Sequence, residues 1–201
     1  MSDDVPDIVP ETPAPTAVAE DLVHQIEEAE WLDGGADTLR RVADRIVPPG
    51  PARDRWRGRW LGHALHPMLT DLPIGFWTSS VLVDLVGGRR GRPAAKRLVA
   101  AGVLVAVPTA VAGVAELSEM DDTATRRVGA AHAAGNTAGT ALYALSWRAR
   151  RRGRHWRGVL LSLAGATVLS AAGHLGGHLT YRRAAGVRED GQVARPAPAH
   201  V

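Results

Sequence analysis

The stretch LVAAGVLVAVPTAVAGVAEL, residues 98–117, decides the fold of this chain. It is apolar on every side, with one proline, Pro108, and one acid, Glu116, near its end. A helix needs about 20 apolar residues to cross the hydrocarbon layer of a membrane. A helix without a polar face must be buried or embedded in lipid. The stretch therefore predicts a membrane-spanning helix.

Three further segments of similar length lie on either side of it. Together they give four predicted spans, at 68–88, 95–117, 128–147 and 158–181. Only short links join them, and short links between successive spans are typical of an up-down-up-down bundle. The predicted fold class is therefore all-α, a four-helix transmembrane bundle. A soluble four-helix bundle is the alternative, but the second and fourth segments have no polar face.

The rest of the chain divides into tails and a linker around a membrane domain at 60–188. Residues 1–18 are acidic and proline-rich, which predicts disorder. Residues 19–59 are predicted to form a surface helix, interrupted at Gly34–Gly35, and then a linker rich in proline and arginine. Arginines at 53–59 alternate with Trp56 and Trp60 just before the first span, which indicates an interfacial anchor. Residues 189–201 form a C-terminal tail.

The composition excludes several classes of protein. The 201 residues include no cysteine, so the chain itself forms no disulfide, thiolate zinc site, cysteine nucleophile or iron–sulfur cluster. The net charge of +3 is small, and the basic residues cluster beside apolar segments, which favours membrane topology over nucleic-acid binding. No hydrolase, metalloprotease or nucleotide-binding motif is present, so an electron-transfer or structural module is favoured over an enzyme.

Polar residues lie at those ends of the four predicted spans that four crossings bring to one membrane face. In chain order they are His63, His66, Asp71, Glu116, His132, Asn136, His174 and His178. Ionisable groups are expensive in a bilayer and usually mark a function. Residues four apart share a helix face, as do His174 with His178 and His132 with Asn136. The sequence therefore predicts one polar site at this face.

Two kinds of cofactor fit such a site. A b-type haem would take its axial histidines from the set His66, His132, His174 and His178. A non-haem iron, zinc or copper site would use His63, His66, Asp71, Glu116, His132, His174 and His178. Haem requires two histidines across a slot one ring wide, whereas a bare metal ion requires three or more ligands converging on one point. Asn136 and Asp84 are assigned structural roles, and Asp84 is expected to pair with Arg89 or Arg97 near the opposite face.

A third hypothesis is a non-catalytic membrane anchor or subunit, whose buried histidine, asparagine and aspartate side chains only bond helices together. Such bonds are worth about 0.6–2 kcal/mol each. Proton or ion transport is least favoured, because it would need polar residues through the whole depth of the membrane. The second and fourth spans are apolar through their middles.

The arginines predict the orientation of the protein in the membrane. The loops after the first and third spans are rich in arginine, whereas the loop between the second and third carries only Arg126 and Arg127. By the positive-inside rule the arginine-rich loops are cytoplasmic. This predicts a four-span inner-membrane protein with the histidine face and both termini extracytoplasmic. Basic residues in the two tails act against this assignment.

The stretch WLGHALHPMLTDLPIGFWTSSVLVDLVGG, residues 60–88, resembles the opening of a bacterial membrane family catalogued as domain of unknown function 2231. The pieces AAHAAGN, 130–136, and GHLGGHLTYR, 173–182, are similar to its other motifs. The resemblance implies a four-helix membrane protein without an assigned activity. In actinobacterial relatives the module is often followed by a Rieske iron–sulfur domain, which needs two cysteines that this chain lacks. The resemblance thus implies the membrane module alone, with the lipid bilayer and a Rieske-type or other redox protein as partners.

Overall fold

A computed structural model of the protein describes residues 15–183. Within that range the chain forms helices and no strand, which confirms the all-helical prediction. A short 3₁₀ turn at Glu30–Leu32 separates the first two α-helices. The α-helices, in chain order, are α1 Pro15–Glu28, α2 Asp33–Ile46, α3 Pro51–Trp56, α4 Leu65–Val86, α5 Gly88–Leu117, α6 Thr123–Arg151 and α7 His155–Tyr181.

The N-terminal part is more helical than the sequence predicted. The single surface helix expected after residue 18 is in fact two helices, and α1 begins at Pro15, inside the stretch expected to be disordered. The rest of that stretch, 1–14, and the residues after 183 lie outside the described residues. The break falls at Ala29 rather than at Gly34–Gly35. Those glycines occupy the first turn of α2, where backbone amides have no helical partner in any case.

Three helices, α4, α5 and α7, are long and apolar enough to cross a membrane. Helix α6 is as long, at 29 residues, but its alanines, glycines and terminal arginines make it less apolar than the other three. It begins where it does because the side chain of Asp122 accepts a hydrogen bond from the Thr125 amide, at 2.8 Å. Three of the four predicted spans are therefore supported by length and composition.

The long helices contact their sequence neighbours in antiparallel fashion. Gly88, at φ 53°, makes a tight turn between α4 and α5, so the link is shorter than the sequence suggested. His66 at the start of α4 contacts Gly113 near the end of α5. Similarly, Ser146 near the end of α6 bonds Ser162 near the start of α7, at 2.8 Å. Helices α5 and α6 also touch, as do α4 and α7.

A stacked aromatic pair joins α4 to α6 in the middle of the molecule. The rings of Trp77 and Tyr143 lie 4.1 Å apart between centroids and are nearly parallel, at 5°. Both side chains are buried. Two glycines make room for them, since a Cβ atom on Gly102 would clash with the Trp77 ring and one on Gly165 would lie 3.0 Å from Tyr143. Stacking of this kind adds about 0.5–1.5 kcal/mol beyond the area it buries.

A buried ion pair joins the same two helices at the end away from His66. The carboxylate of Asp84 accepts two hydrogen bonds from Arg150, at 2.9 and 2.6 Å. The two side chains are 7% and 2% exposed. The expectation that Asp84 pairs with Arg89 or Arg97 was therefore wrong. Those two arginines are exposed on α5, whereas Asp84 faces α6.

Candidate functional site

Two of the predicted site histidines, His66 of α4 and His132 of α6, lie side by side. Their ring centroids are 6.2 Å apart and their planes are close to perpendicular, at 87°. Both residues are half-buried. The pair brings the α4–α5 hairpin into contact with the α6–α7 hairpin, at the end of the helices opposite Asp84.

Each ring is fixed by a hydrogen bond to the backbone of the next helix. His66 Nδ1 lies 2.9 Å from the Thr109 carbonyl oxygen on α5. His132 Nδ1 lies 2.7 Å from the Ala172 carbonyl oxygen on α7. Because a carbonyl oxygen only accepts, each Nδ1 carries the proton and donates, and in a neutral ring Nε2 keeps its lone pair. On His132 that lone pair accepts from the Asn136 amide nitrogen, at 2.9 Å.

A glycine lies under each histidine ring. A Cβ atom added to Gly113 would lie 2.8 Å from His66 Cε1, and one added to Gly176 would lie 2.7 Å from His132 Cε1. Each glycine is four residues after the residue whose carbonyl accepts the histidine proton. A side chain at that position would cover the carbonyl, because helical side chains lie over the preceding turn. Neither glycine was among the residues predicted to belong to the site.

Glu116 lies near the pair, one helical turn beyond Gly113. Its Oε1 atom is buried and has no hydrogen-bond partner among residues 15–183. The carboxyl group lies within interaction range of the Arg57 guanidinium and the His66 backbone amide. Burial lowers the pKa of Arg57, and the carboxylate of Glu119, 3.3 Å from its guanidinium, acts in the opposite direction. Arg57 stays charged, as arginines do in any protein environment. A cation therefore lies near Glu116.

The other predicted site residues do not join the pair. His63, Asp71 and His174 are exposed. His174 is two residues from Gly176, so it points to a different side of α7. Nowhere in the part of the chain that the structure describes do three histidine, aspartate or glutamate side chains group so as to hold a metal ion. The structure thus brings together two histidines, with Asn136 and Glu116 beside them.

His178 makes a different contact, with the N-terminal helices. Its Nε2 atom lies 2.8 Å from Glu27 Oε1 of α1, which also accepts from Arg183, at 2.7 Å. Arg127, near the start of α6, donates to both carboxylate oxygens of Asp33, at 2.6 and 2.8 Å. We call residues 15–56 the cap, because these bonds hold them on the ends of α6 and α7. Pattern analysis could not find these contacts, because the partners lie about 90–150 residues apart in sequence.

Acid is expected to loosen the cap. Burial raises the pKa of Glu27, but the bonds from Arg183 and His178 outweigh it and bring that pKa below 4.5. Hydrogen bonds from Arg127 likewise hold the pKa of Asp33 below 3.8. A carboxylate with a lowered folded-state pKa stabilises the fold fully above its unfolded pKa, and that contribution is lost as the pH falls toward the folded value.

Amide hydrogen exchange of residues 18–28, corrected for intrinsic rates, would measure this. Exchange should accelerate relative to the long helices as the pH falls below about 4.5, the ordinary value for a glutamate. Glu27→Gln should already exchange fast at neutral pH and show less further change on acidification. Equal protection of α1 in the wild-type protein at pH 7 and in acid would contradict the role given to these carboxylates.

The arginines before the first span do not behave as the sequence suggested. Arg53 and Arg57 are only 5% and 4% exposed. Arg53 donates to the Val47 carbonyl oxygen, at 2.9 Å from Nε, and pairs with Asp44 at 2.6 Å. The prediction that these two arginines anchor the chain at the membrane–water interface was therefore wrong. They instead join α3 to the rest of the cap and to the loop after α5. Trp60, in contrast, is 68% exposed.

Comparison with known proteins places the histidine pair inside a family domain. A family model described as "Predicted membrane protein (DUF2231)" matches residues 62–189, a range that includes α4 to α7 and hence both histidines. No curated protein and no solved structure gives a significant match. The matched range is well over half of the 201 residues, and it confirms the resemblance carried by the three sequence motifs. The chain therefore belongs to the DUF2231 family of predicted membrane proteins.

Proposed function

We propose that this protein is a membrane redox module in which His66 and His132 are the axial ligands of one b-type haem. The observation that carries the proposal is the 6.2 Å between the two ring centroids. A metal ion lies about 2 Å from each imidazole nitrogen that binds it, and a ring centroid lies about 1 Å behind its nitrogen. Two axial rings therefore have centroids about 6 Å apart.

The hydrogen bonds of both rings support the same proposal. Histidines that bind a metal commonly donate the other ring proton to a carbonyl or carboxylate, which fixes the tautomer and the ring orientation. His66 and His132 both do so through Nδ1, and Nε2 is left for a ligand. The Asn136 amide would have to leave His132 Nε2, which rotation about its own side-chain bonds allows.

The number of converging groups favours haem over a bare metal ion. Structural and catalytic zinc sites use three or four protein ligands, and other non-haem centres are similar. The described residues offer two histidines, and no third side chain, Glu116 included, converges with them so as to hold a metal ion. Haem needs two ligands from the protein and supplies one-electron chemistry, which the axial ligands and their hydrogen bonds tune.

The same proposal includes the membrane arrangement. Helices α4, α5, α6 and α7 would cross the inner membrane as an up-down-up-down bundle, with α6 as a fourth span. The ion pair of Arg150 with Asp84 supports this, since Arg150 at the end of α6 neutralises the acid inside α4, which lipid would not tolerate alone. The positive-inside rule places the histidine pair and the cap on the extracytoplasmic side, where a Rieske-type or other redox protein would exchange electrons with the site.

A second candidate function is a structural membrane subunit without a cofactor. It is favoured by the fact that both Nδ1 atoms and His132 Nε2 already have partners within the protein. Polar side chains commonly join membrane helices in this way. The histidines would then contribute stability and no electron chemistry.

Visible absorption of the detergent-purified protein, oxidised and then reduced with dithionite, tests the proposal. Protein from haem-replete cells should show a Soret band and a sharp α-band on reduction. His66→Ala and His132→Ala should each remove the α-band, whereas His63→Ala and His174→Ala should keep it, because those side chains are exposed. A flat spectrum from folded wild-type protein would exclude haem binding and favour the structural subunit. In that case His66→Ala and His132→Ala should lower thermal stability and have no spectral effect.

A further inference from the structure

We propose that the cap rests on the membrane through one side of α2, which lies in the headgroup layer of the bilayer. The surface concerned, which we call the apolar flank, consists of Leu39, Val42 and Ile46. Val42 is 39% exposed and Ile46 is 54% exposed. The inference does not depend on haem binding, because it concerns a different surface of the protein.

The rotational setting of α2 separates the apolar flank from the side that packs on the bundle. Ala36 and Ala43 of α2, with Val47 just after it, are buried. At 3.6 residues per turn, Val42 and Ile46 lie roughly a quarter-turn round the helix from that buried line. The apolar stripe of α2 is therefore wider than its contact with the protein, and its edge is only partly covered by the described residues.

The side of α2 opposite the apolar flank binds the polar ends of the bundle. Its pairs are Asp33 with Arg127, Asp37 with Arg126, and Arg40 with Asp121. These partners belong to the loop after α5 and to the first five residues of α6, beyond the apolar part of the spans. Since one flank faces these loops, the apolar flank is directed away from them.

The residues around the apolar flank identify lipid as its occupant. Arg45 is exposed and borders the apolar flank, since it lies three residues after Val42 and next to Ile46. Arginine beside aliphatic residues on a helix is the pattern that binds an anionic lipid surface. Trp31 just before α2 and Trp60 before α4 are 82% and 68% exposed, and tryptophan favours the membrane–water interface.

Nitroxide labels on single cysteines test the depth of the flank, and the cysteine-free chain makes such labelling simple. The full-length protein would be placed in phosphatidylglycerol-containing vesicles with labels at Val42→Cys or Ile46→Cys. Asp37→Cys, nine residues before Ile46 and so on the opposite side of α2, is the aqueous control. Leu82→Cys on the exposed surface of α4 is the lipid reference.

The flank labels should resemble the Leu82 reference. We expect their ratio of oxygen to nickel-complex accessibility to exceed that of Asp37→Cys several-fold, and to fall toward it in Arg45→Gln. Nickel accessibility equal to that of Asp37→Cys would overturn the proposal, since it would place the flank in water. Low accessibility to both reagents would overturn it in favour of a protein partner or a second copy. Circular dichroism would establish that each labelled variant is folded.

Discussion

Replacing Asp84 by alanine should destabilise the protein by about 3–5 kcal/mol, because Arg150 would keep a buried charge without its counter-ion. The pair is well formed, with two hydrogen bonds of 2.9 and 2.6 Å and side chains that are 7% and 2% exposed. The other groups near the guanidinium cannot replace the carboxylate. Ser146 Oγ, at 3.2 Å from Arg150 Nε, is neutral, and the His155 ring is itself a cation when protonated.

Chemical denaturation in detergent, followed by circular dichroism, would measure the loss. Arg89→Ala is the matched control, because Arg89 is exposed on α5 and should change the free energy of unfolding by less than about 0.5 kcal/mol. The double variant Asp84→Leu/Arg150→Met should recover most of the stability, since a buried ion pair often exchanges for apolar residues at little cost. If Asp84→Ala costs no more than Arg89→Ala, the pair is hydrated and does not join the helices.

The same pair shows what the sequence could and could not predict. Apolar length identified the long helices, and an acid inside one of them had to find a cation. The choice among cations depends on how each helix is rotated about its axis and on which helices are neighbours. Counting along the chain favoured the nearby Arg89 and Arg97, whereas Arg150 is 66 residues away and faces Asp84 across the interior.

The histidine pair follows the same logic. Position along each span could be counted from the sequence, so His66 and His132 were predicted at the same end of the helices, where the structure has them side by side. The rotation of each helix about its own axis could not be read from the sequence. His63 and His174, which the structure shows to be exposed, were therefore predicted to belong to the same site. Two glycines in the sequence could have indicated which histidines face a neighbouring helix. A histidine ring needs a helix surface with an open carbonyl, and Gly113 and Gly176 provide one on each neighbouring helix.

Replacing Gly176 by alanine should therefore destabilise the protein by about 1–3 kcal/mol, the usual cost of overfilling a packed contact. Alanine in place of glycine inside a helix normally has the opposite effect, a gain of about 0.5–1 kcal/mol. The sign reverses here because the new Cβ atom would lie 2.7 Å from His132 Cε1. The ring cannot simply move aside, since Nδ1 is bonded to Ala172 and Nε2 to Asn136.

Two neighbouring glycines on α7 give matched controls. A Cβ atom at Gly173 or Gly177 would meet nothing within 4 Å, so alanine there should be neutral or stabilising. His132→Ala removes the ring that the new methyl group would strike. In that background Gly176→Ala should become as favourable as Gly177→Ala, giving a coupling energy of the size seen between residues in contact.

The reversal of sign distinguishes this contact from a general effect of mutation on α7. Gly176→Ala in otherwise wild-type protein should lower the thermal midpoint while Gly177→Ala does not. If both variants gain stability equally, His132 does not rest on α7 and the proposed orientation of its ring fails. The same measurements can show that Gly176→Ala both destabilises the protein and weakens the α-band of the reduced spectrum. That result would mean that Gly176 fixes the ring orientation in which His132 Nε2 binds the haem.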